Sequence, residues 1–238
     1  MSPTFEAVNE VASIDLILPT LNPPQGWSES TVKKKEELER LLGCSVHLIV
    51  SDDGSEQRQE IELLAKMDSS VSVIASDINQ GKGAALRRGA TKAESDIIVF
   101  TDADFPYELA SIKAVVDSIR SGTDVALGYR EQNYYASVPW FRKGLSEGFR
   151  FVLKSILKFP ITDTQCGLKG MNQTGKSLLL KTNINRFLVD MEFIKLAVRS
   201  HARIEPVIVE LRPNVVFSSM GLSTLLRELI NFARVLTM

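Results

Sequence analysis

The chain has 238 residues, of which 44% are hydrophobic and 24% charged, and its formal net charge is −1. This is the composition of a globular protein with an ample core, and the near-zero charge excludes a globally basic nucleic-acid binder. Two cysteines and two histidines, far apart in the chain, provide neither a zinc site nor a disulfide framework. The N-terminus lacks a signal-peptide pattern, and no run reaches the roughly 18–20 apolar residues of a membrane span. We therefore expect a cytoplasmic protein that meets a membrane only at its surface.

Short apolar runs alternate with helix-period segments through the first half of the chain. The runs predicted as strands are 14–18, 46–50, 71–75, 97–100 and 125–128, with a later strand near 204–211. Ser30 is placed to cap a first helix that stops at Gly43. Ser55 precedes a second helix, 56–67, and Pro106 suits the first turn of another. This alternation predicts βαβ units, and hence an α/β fold with a mostly parallel sheet flanked by helices.

The second half of the chain changes character. It contains an amphipathic segment at 139–159, a Gly/Thr-rich loop, short helices around Ser177 and Asp190, and a final helix from Leu222. Residues 139–158 carry five basic residues and one acidic residue, which suits either contact with anionic lipid head groups or the covering of a core. The final helix allows both of these interpretations and also self-association as a homodimer. We expect a tail at 1–12, one domain at 13–213 and a C-terminal amphipathic helix at 214–238.

Polar residues follow four of the predicted strands. They stand in the segments "PTLN" (19–22), "SDDGS" (51–55), "NQGKG" (79–83) and "TDAD" (101–104). Ligands of open parallel sheets bind beyond the carboxyl ends of the strands, so these segments are expected to share one site.

Each of these segments has a functional interpretation and a structural one. Asp102 and Asp104 could present hard oxygen ligands to Mg²⁺ or Mn²⁺ beside substrate phosphates, or could simply be solvated at a strand end. Asp52 and Asp53 suit recognition of a nucleotide base or ribose, and they equally suit a turn with a helix cap. Lys82, between glycines at a helix start, is placed where free N–H groups attract anions, although a solvated lysine in a turn looks the same.

The segment "GMNQTGKS", 170–177, matches the phosphate-binding pattern G-x-x-x-x-G-K-[ST]. The pattern has physical content only if a strand leads into it, a helix begins at its lysine and a parallel sheet surrounds it. It predicts a nucleoside triphosphatase as an alternative function, with Lys176 on the phosphates. The match comes late in the chain and leaves residues 52–53 and 102–104 unexplained.

Taken in order, seven segments resemble the family 2 glycosyltransferases of GT-A fold, nearest the branch that transfers glucose or mannose to polyprenyl (dolichyl) phosphate. The segments are "LPTLN", "SDDGS", "NQGKGAALRRG", "DIIVFTDAD", "LGYR", "DTQCGLKG" and "FLVDMEF", and they span about residues 14–211. One departure concerns the first motif, since many members carry Glu after the asparagine where this chain has Pro23.

The resemblance implies inverting transfer of a hexose from a nucleotide sugar, UDP-glucose or GDP-mannose, to an acceptor such as polyprenyl phosphate, with Mg²⁺ or Mn²⁺ as the cofactor. The nucleotide-sugar-binding residues it implies are Pro19, Thr20, Asn22, Asp52, Asp53, Lys82, Asp102 and Arg130. Asp102 and Asp104 would hold the ribose and the metal, and Arg130 would neutralise phosphate charge.

The resemblance also implies catalytic roles for Asp104, Asp163, Gln165, Asp190 and Glu192. Asp163 and Gln165 would lie beside the sugar and the metal. Asp190, with Glu192 as its neighbour, is the candidate base for a hydroxyl acceptor. A phosphate acceptor is already anionic and needs no base, so in that case these two carboxylates would only orient the sugar or the acceptor.

Two further alternatives remain at this point. The chain could bind a nucleotide sugar without catalysis, or it could be a soluble family 2 transferase with a saccharide or a phosphorylated small molecule as acceptor. Cys166 is expected to be a buried structural thiol, and His47 and His201 are expected to be structural.

Overall fold

The computed structural model describes residues 13–130, 159–161 and 163–213, together with 231, 232 and 235. The predicted tail at 1–12, the amphipathic segment up to residue 158 and most of the C-terminal helix lie outside these residues.

Seven strands of the described chain form one sheet in the order β3-β2-β1-β4-β6-β5-β7. The strands are β1 (Ser13–Thr20), β2 (Ser45–Asp52), β3 (Val71–Ala75), β4 (Ile98–Phe100), β5 (Val125–Tyr129), β6 (Lys169–Met171) and β7 (Ile204–Ile208). All neighbouring strands are parallel except β6, which is antiparallel to both β4 and β5. The predicted α/β fold with a mostly parallel sheet is confirmed.

Six helices of the described chain cover both faces of the sheet. They are α1 (Trp27–Leu42), α2 (Gln59–Met67), α3 (Lys82–Lys92), α4 (Leu109–Arg120), α5 (Gln173–Leu179) and α6 (Val189–Arg199). Alternate residues of the strands point to opposite faces, so Ile17 packs in the cluster of α3, α5 and α6, whereas Leu16 packs with α1, α2 and α4. Burial on both faces is the reason that the central strands read as continuous apolar runs.

Three helices begin later or earlier than the sequence predicts. Helix α1 begins at Trp27 after a left-handed Gly26, so Ser30 is not its cap, although it ends at Gly43 as predicted. Helix α2 begins at Gln59 because Ser55 is engaged elsewhere: its hydroxyl donates to Asp52 and accepts from the N–H of residue 22.

Helix α4 begins at Leu109, three residues after Pro106. The intervening Tyr107 forms an isolated antiparallel bridge with Leu211. Strand β7 ends at Ile208, and Leu211, three residues further on, pairs with Tyr107 and does not continue the strand. The strand is therefore shorter than the predicted 204–211, and Leu211 lies instead in the bridge with Tyr107.

The described residues of the C-terminal helix pack on the core. Val235 is fully buried in the cluster that contains α6, Phe232 packs partly against it, and the Lys195 ammonium donates to the Val235 carbonyl. These contacts match the core-covering interpretation, while self-association stays a prediction. No helix within the described ranges is long and apolar enough to cross a membrane.

Candidate active site

The segment 170–177 does not form a phosphate-binding loop. Gly170 lies within β6, and Asn172 caps α5 by accepting hydrogen bonds from the N–H groups of Thr174 and Gly175 at 2.9 and 3.1 Å. The helix therefore begins before Lys176, whose ammonium donates to the Ala93 carbonyl at 2.6 Å. Because the lysine lies inside the helix and the preceding strand is antiparallel, the nucleoside triphosphatase alternative is wrong.

Replacing Lys176 by alanine should leave nucleotide-sugar binding unchanged. The substitution removes one hydrogen bond to a carbonyl, which costs about 0.5–1.5 kcal/mol of stability. Titration of the variant with a nucleotide sugar checks this, since a tenfold loss of affinity would restore the phosphate-loop interpretation.

A pocket of about 250 Å³ opens at the carboxyl ends of β1, β2 and β4. Its walls come from the end of β1, the loop before α3, the first turn of α3, the residues after β4 and the loop before α6. The lining residues are Pro19, Thr20, Leu21, Asp53, Asn79, Gly81, Lys82, Ala85, Asp102, Ala103, Arg186 and Phe187. Five predicted binding residues thus converge here: Pro19, Thr20, Asp53, Lys82 and Asp102.

The two aspartates after β2 have different environments. Asp52 is fully buried, and its carboxylate accepts from the Ser55 N–H at 3.0 Å and pairs with Arg58 at 3.0 Å. Asp53 lines the pocket, where it accepts from the Gly81 N–H at 2.6 Å and pairs with Arg88 at 2.8 Å. Asp52 therefore shapes the turn, and Asp53 is the aspartate placed to meet a ligand.

Asn22 braces the same turn and does not line the pocket. Its side-chain oxygen accepts from the Glu56 N–H at 2.9 Å, and its own N–H donates to the Ser55 hydroxyl at 2.8 Å. Its positive φ of 46° is one that asparagine tolerates better than most residues. Thr20, by contrast, ends β1 in the pocket wall, with its hydroxyl donating to the Leu18 carbonyl at 3.1 Å.

Three backbone N–H groups at the start of α3 already have acceptors within the protein. The Gly83 and Ala84 N–H groups donate to the Asn185 carbonyl at 2.7 and 3.3 Å, and the Gly81 N–H is taken by Asp53. A side chain at position 83 would place its Cβ 2.2 Å from the Ile184 carbonyl oxygen, so glycine allows this close approach. These bonds make the N–H groups of residues 81, 83 and 84 unavailable to an anion, and the attraction of an anion to Lys82 at this helix start stays a prediction.

Lys82 lies between two carboxylates. Its ammonium donates to Asp102 at 2.8 Å and stands 3.7 Å from Asp190. Burial lowers the pKa of Lys82, but the charges of Asp102 and then Asp190 outweigh it and hold the pKa above its ordinary value. Burial alone would raise the pKa of Asp102, but neighbouring positive charges, above all that of Lys82, hold this pKa below its ordinary value. Both groups are therefore charged at neutral pH.

Lys169 is a buried charge that the sequence analysis missed. It is fully buried and pairs at 2.7 Å with Asp190, which is also buried, with 3% of its surface exposed. The available signal was a lysine inside the short strand segment "GLKGM", where an apolar residue is expected.

Side chains from distant elements hold the loop after β4. Trp27 donates from its ring nitrogen to the Ala103 carbonyl at 2.8 Å, and Lys34 donates to the Asp104 carbonyl at 3.3 Å. Arg212 donates to the carbonyls of Asp104 and Phe105. These bonds fix the backbone that carries the Asp104 carboxylate, which is exposed. Although the residue is exposed, partial desolvation of its carboxylate by neighbouring groups, and then the charge of Asp102, raise the pKa of Asp104.

Gly167 lets the Asp102 carboxylate lie against the chain. A Cβ at this position would stand 2.1 Å from Asp102 Oδ2. The turn that contains Gly167 is itself fixed, because its N–H donates to the Tyr107 hydroxyl at 2.7 Å. The position of Asp102 thus depends on the absence of a side chain here.

Gly167→Ala should displace Asp102 and reduce sugar transfer on the order of 100-fold, which is the effect of about 1 Å of misplacement at a reacting centre. Gly43→Ala is a control for loss of stability alone: the added Cβ meets no atom within 4 Å, but the φ of 68° makes alanine strained there, and the position is remote from the pocket. Equal transfer rates in the two variants would show that the contact with Asp102 has no functional weight.

Arg130 and Asp163 form a two-pronged ion pair. The arginine Nε and Nη2 donate to the two carboxylate oxygens at 2.7 and 2.8 Å, and the Arg130 N–H adds a third bond at 3.0 Å. Burial opposes the charged form of Arg130, but the bonds to Asp163 raise its pKa above the ordinary value. Neither residue lines the pocket described above, and Gln165 is exposed two residues along.

Glu192 lies apart from the pocket. It is 1% exposed, and its carboxylate accepts from the N–H groups of Asn183, at 2.9 and 3.0 Å, and Ile184, at 2.7 Å. These bonds hold the loop that packs against the start of α3. The structure thus places Glu192 as a brace for this loop and does not bring it together with Asp102 and Asp104.

The three residues expected to be structural are so placed. Cys166 is buried, burial raises the pKa of its thiol, and the thiol donates to the Tyr107 hydroxyl at 3.4 Å. His47 contacts Asp15 and Ser72, each at 2.9 Å, along the strands. His201 ends a helix turn with a φ of 53°.

The two aspartates after β4 suit a hard divalent cation: Asp102 lines the pocket, and Asp104 lies two residues along, outside the lining residues. Asp102 and Asp104 provide carboxylate oxygens on a braced loop, with Asp102 seated against Gly167. Among the residues that the structure describes, no three histidine, cysteine or carboxylate side chains cluster as a closed metal site. Mg²⁺ and Mn²⁺ suit such an arrangement, because they use few protein carboxylates and take their remaining ligands from water and phosphate.

The mostly parallel sheet, with a pocket at the carboxyl ends of its strands, is an α/β fold of the GT-A kind. Glucosyl-3-phosphoglycerate synthase from Mycobacterium tuberculosis, solved with Mn²⁺, uridine diphosphate and phosphoglyceric acid, matches it with a TM-score of 0.64. The match covers 97% of this chain and 81% of that chain at 20% identity, and it confirms the predicted GT-A fold. The same enzyme solved with Mn²⁺, UDP-glucose and phosphoglyceric acid matches over the whole chain.

The model of the family "Glycosyl transferase family 2" matches residues 29–178, more than half of the chain. The chain therefore belongs to glycosyl transferase family 2.

Curated relatives carry the same family resemblance at low identity. A dolichyl-phosphate beta-glucosyltransferase of Trichomonas vaginalis is 25% identical over 87% of this chain and 68% of its own length. That of Drosophila melanogaster is 27% identical over 82% of this chain and 66% of its own length. A dolichol-phosphate mannosyltransferase of Pyrococcus furiosus is 29% identical over 57% of this chain and 38% of its own length. The chain thus spans between 38% and 68% of the length of these three relatives.

Proposed function

We propose that this chain transfers a hexose from a nucleotide sugar, UDP-glucose or GDP-mannose, to polyprenyl phosphate at a membrane surface, with inversion at the anomeric carbon. The observation that carries the proposal is the convergence of Asp53, Lys82 and Asp102 on one pocket at the carboxyl edge of a family 2 sheet. The names of the relatives support the acceptor, since several are dolichyl-phosphate glucosyltransferases.

We assign different walls of the pocket to the nucleoside and to the diphosphate of the donor. Pro19, Thr20 and Asp53 lie at the ends of β1 and β2, where a base and ribose suit the mixed apolar and acidic wall. Lys82 and Asp102 come from the start of α3 and the end of β4, and Arg186 comes from the loop before α6. A cationic lysine and arginine suit the diphosphate of the donor.

Transfer would proceed as one in-line displacement. A phosphate oxygen of the acceptor attacks the anomeric carbon, and the bond from that carbon to the donor diphosphate breaks with its electron pair on the leaving oxygen. Mg²⁺ or Mn²⁺, when bound by Asp102 and Asp104, would neutralise charge on the diphosphate. Lys82 remains protonated and adds positive charge on the same side. The acceptor is already ionised, so no proton has to be removed.

The test is transfer of radiolabelled sugar to liposomes. The protein is incubated with each labelled donor, Mn²⁺ or Mg²⁺, and vesicles that contain or lack polyprenyl phosphate. We expect label in the lipid fraction from one donor, only with the lipid phosphate present and only with the divalent cation. Label on a water-soluble acceptor would favour the soluble transferase, and donor binding without transfer or hydrolysis would favour the non-catalytic binder. Either outcome would contradict the proposal.

A further inference from the structure

Lys169 occupies a position where a charged residue is costly. It is the first residue of β6, where it pairs in register with Phe100 of β4 and Leu127 of β5. It is fully buried, and its ammonium lies 5.6 Å from the centre of the Phe100 ring. Because β6 runs antiparallel to β4, its beginning lies at the carboxyl end of β4, directly below the strand end that carries Asp102.

The Lys169 ammonium has three oxygen partners. It donates to Asp190 Oδ1 at 2.7 Å, to the Cys166 carbonyl at 2.5 Å and to the Thr164 carbonyl at 3.5 Å. It therefore joins α6 to the turn that contains Gly167, against which Asp102 lies. One buried group thus links two segments that surround the Asp102 carboxylate.

The charges alternate from the pocket into the core. Asp102 bonds Lys82 at 2.8 Å, Lys82 stands 3.7 Å from Asp190, and Asp190 bonds Lys169 at 2.7 Å. Two carboxylates and two ammonium groups balance to zero, which is the condition under which buried charges are tolerated. Of these four residues, Asp102 and Lys82 line the pocket, and Asp190 and Lys169 lie behind them. Removal of the charge of Asp190 or Lys169 therefore leaves an unbalanced charge next to the pocket residues.

We infer that Lys169 is a positioning residue for sugar transfer: by holding Asp190 it keeps Lys82 shared between Asp190 and Asp102 at the donor pocket. The same geometry assigns Asp190 to this anchor and not to a general base. A base must reach the proton that it removes, directly or through one water. Asp190 does not line the pocket, is 3% exposed and has each carboxylate oxygen facing an ammonium group. The activity part of this inference rests on the proposed function.

The test compares Lys169→Met, Asp190→Asn and the double variant in a double-mutant cycle. Lys169→Met leaves Asp190 with Lys82 alone, so Lys82 should move toward it and release Asp102. We expect the KM for the donor to rise about tenfold, with kcat changed less than about threefold. In the double variant Lys82 has only Asp102 as an anionic partner, and the KM should return to within about threefold of the wild-type value. Lys176→Met is the matched control, because its ammonium bonds only a carbonyl remote from this line.

A general base would give the opposite pattern. If Asp190 removes a proton, Asp190→Asn should lose at least about 100-fold in kcat, and the double variant should lose as much, because adding Lys169→Met does not restore the base. That result would overturn the inference.

Thermal unfolding of the four proteins gives a second, activity-independent measurement. The double variant should be more stable than either single variant, and a single variant that fails to fold while the double variant folds supports the pairing. A double variant whose loss of stability equals the sum of the single losses, or that fails to fold, overturns it. A wild-type protein that binds no nucleotide sugar refutes the proposed function, and the unfolding cycle then judges the pairing separately.

Discussion

Asp104→Ala is expected to reduce sugar transfer by a factor on the order of 100–1,000 while leaving the fold intact. The carboxylate is exposed, so its removal opens no cavity. The backbone of the loop stays in place, because Lys34 and Arg212 bind the carbonyl of this residue and not its side chain. The loss should therefore come from charge at the donor diphosphate, and single-turnover transfer with saturating donor and Mn²⁺ measures it.

The control for this variant is Asp117→Ala, which removes an aspartate whose side chain is 43% exposed. Asp117 lies in α4 and pairs with Lys113 one turn away, remote from the pocket. We expect transfer by this control to match the wild-type rate. If Asp104→Ala retained more than about a third of the wild-type rate, the loop after β4 would not hold charge that matters to transfer.

Arg130→Met is expected to destabilise the protein by about 3–5 kcal/mol, the cost of leaving one partner of a buried ion pair alone. Asp163 is 7% exposed and would lose both side-chain donors of the pair, at 2.7 and 2.8 Å. The N–H of residue 130 remains as a donor and limits the loss. For a chain of this length the unfolding temperature should fall by roughly 6–20 °C. Calorimetry or circular dichroism during heating measures the change.

Arg203→Met provides the comparison, because Arg203 pairs with Asp124 while its side chain is 71% exposed. An exposed ion pair contributes at most about 1 kcal/mol. The same loss in both variants would mean that burial does not determine the strength of the Arg130–Asp163 pair.

The sequence predicts the parts of this fold that depend on local patterns. A buried parallel strand needs a continuous apolar run, and polar residues after it mark the edge of the sheet, so the strands before Asp53 and Asp102 were identified correctly. The three-residue strand β6 is too short for its direction to be predicted, although its presence was indicated by "CGLKGM". The helix start at Trp27 was missed because the helix follows a left-handed Gly26 and has no side-chain cap. The start at Gln59 was missed because Asp52 and Asn22 engage the Ser55 hydroxyl that was expected to cap the helix.

The site shows the same division. The sequence predicted that Lys82 and Asp102 lie at one edge of the sheet, because each follows a predicted strand. Both residues line the pocket at that edge. What the sequence does not contain is the partner of each charge. The pairing of Lys169 with Asp190 and the use of Glu192 as a loop brace depend on segments that meet only in the folded chain.

The most direct test of the central claim is thermal unfolding with a panel of nucleoside diphosphates and nucleotide sugars, with and without Mn²⁺. A ligand at 100 times its dissociation constant stabilises the folded state by about 2.7 kcal/mol, a shift of roughly 5–10 °C for this chain. We predict that UDP-glucose or GDP-mannose gives such a shift with Mn²⁺, that the Mn²⁺-dependent part is lost in Asp104→Ala, and that Lys176→Ala behaves as the wild type. A panel in which no nucleotide sugar raises the unfolding temperature would contradict the account.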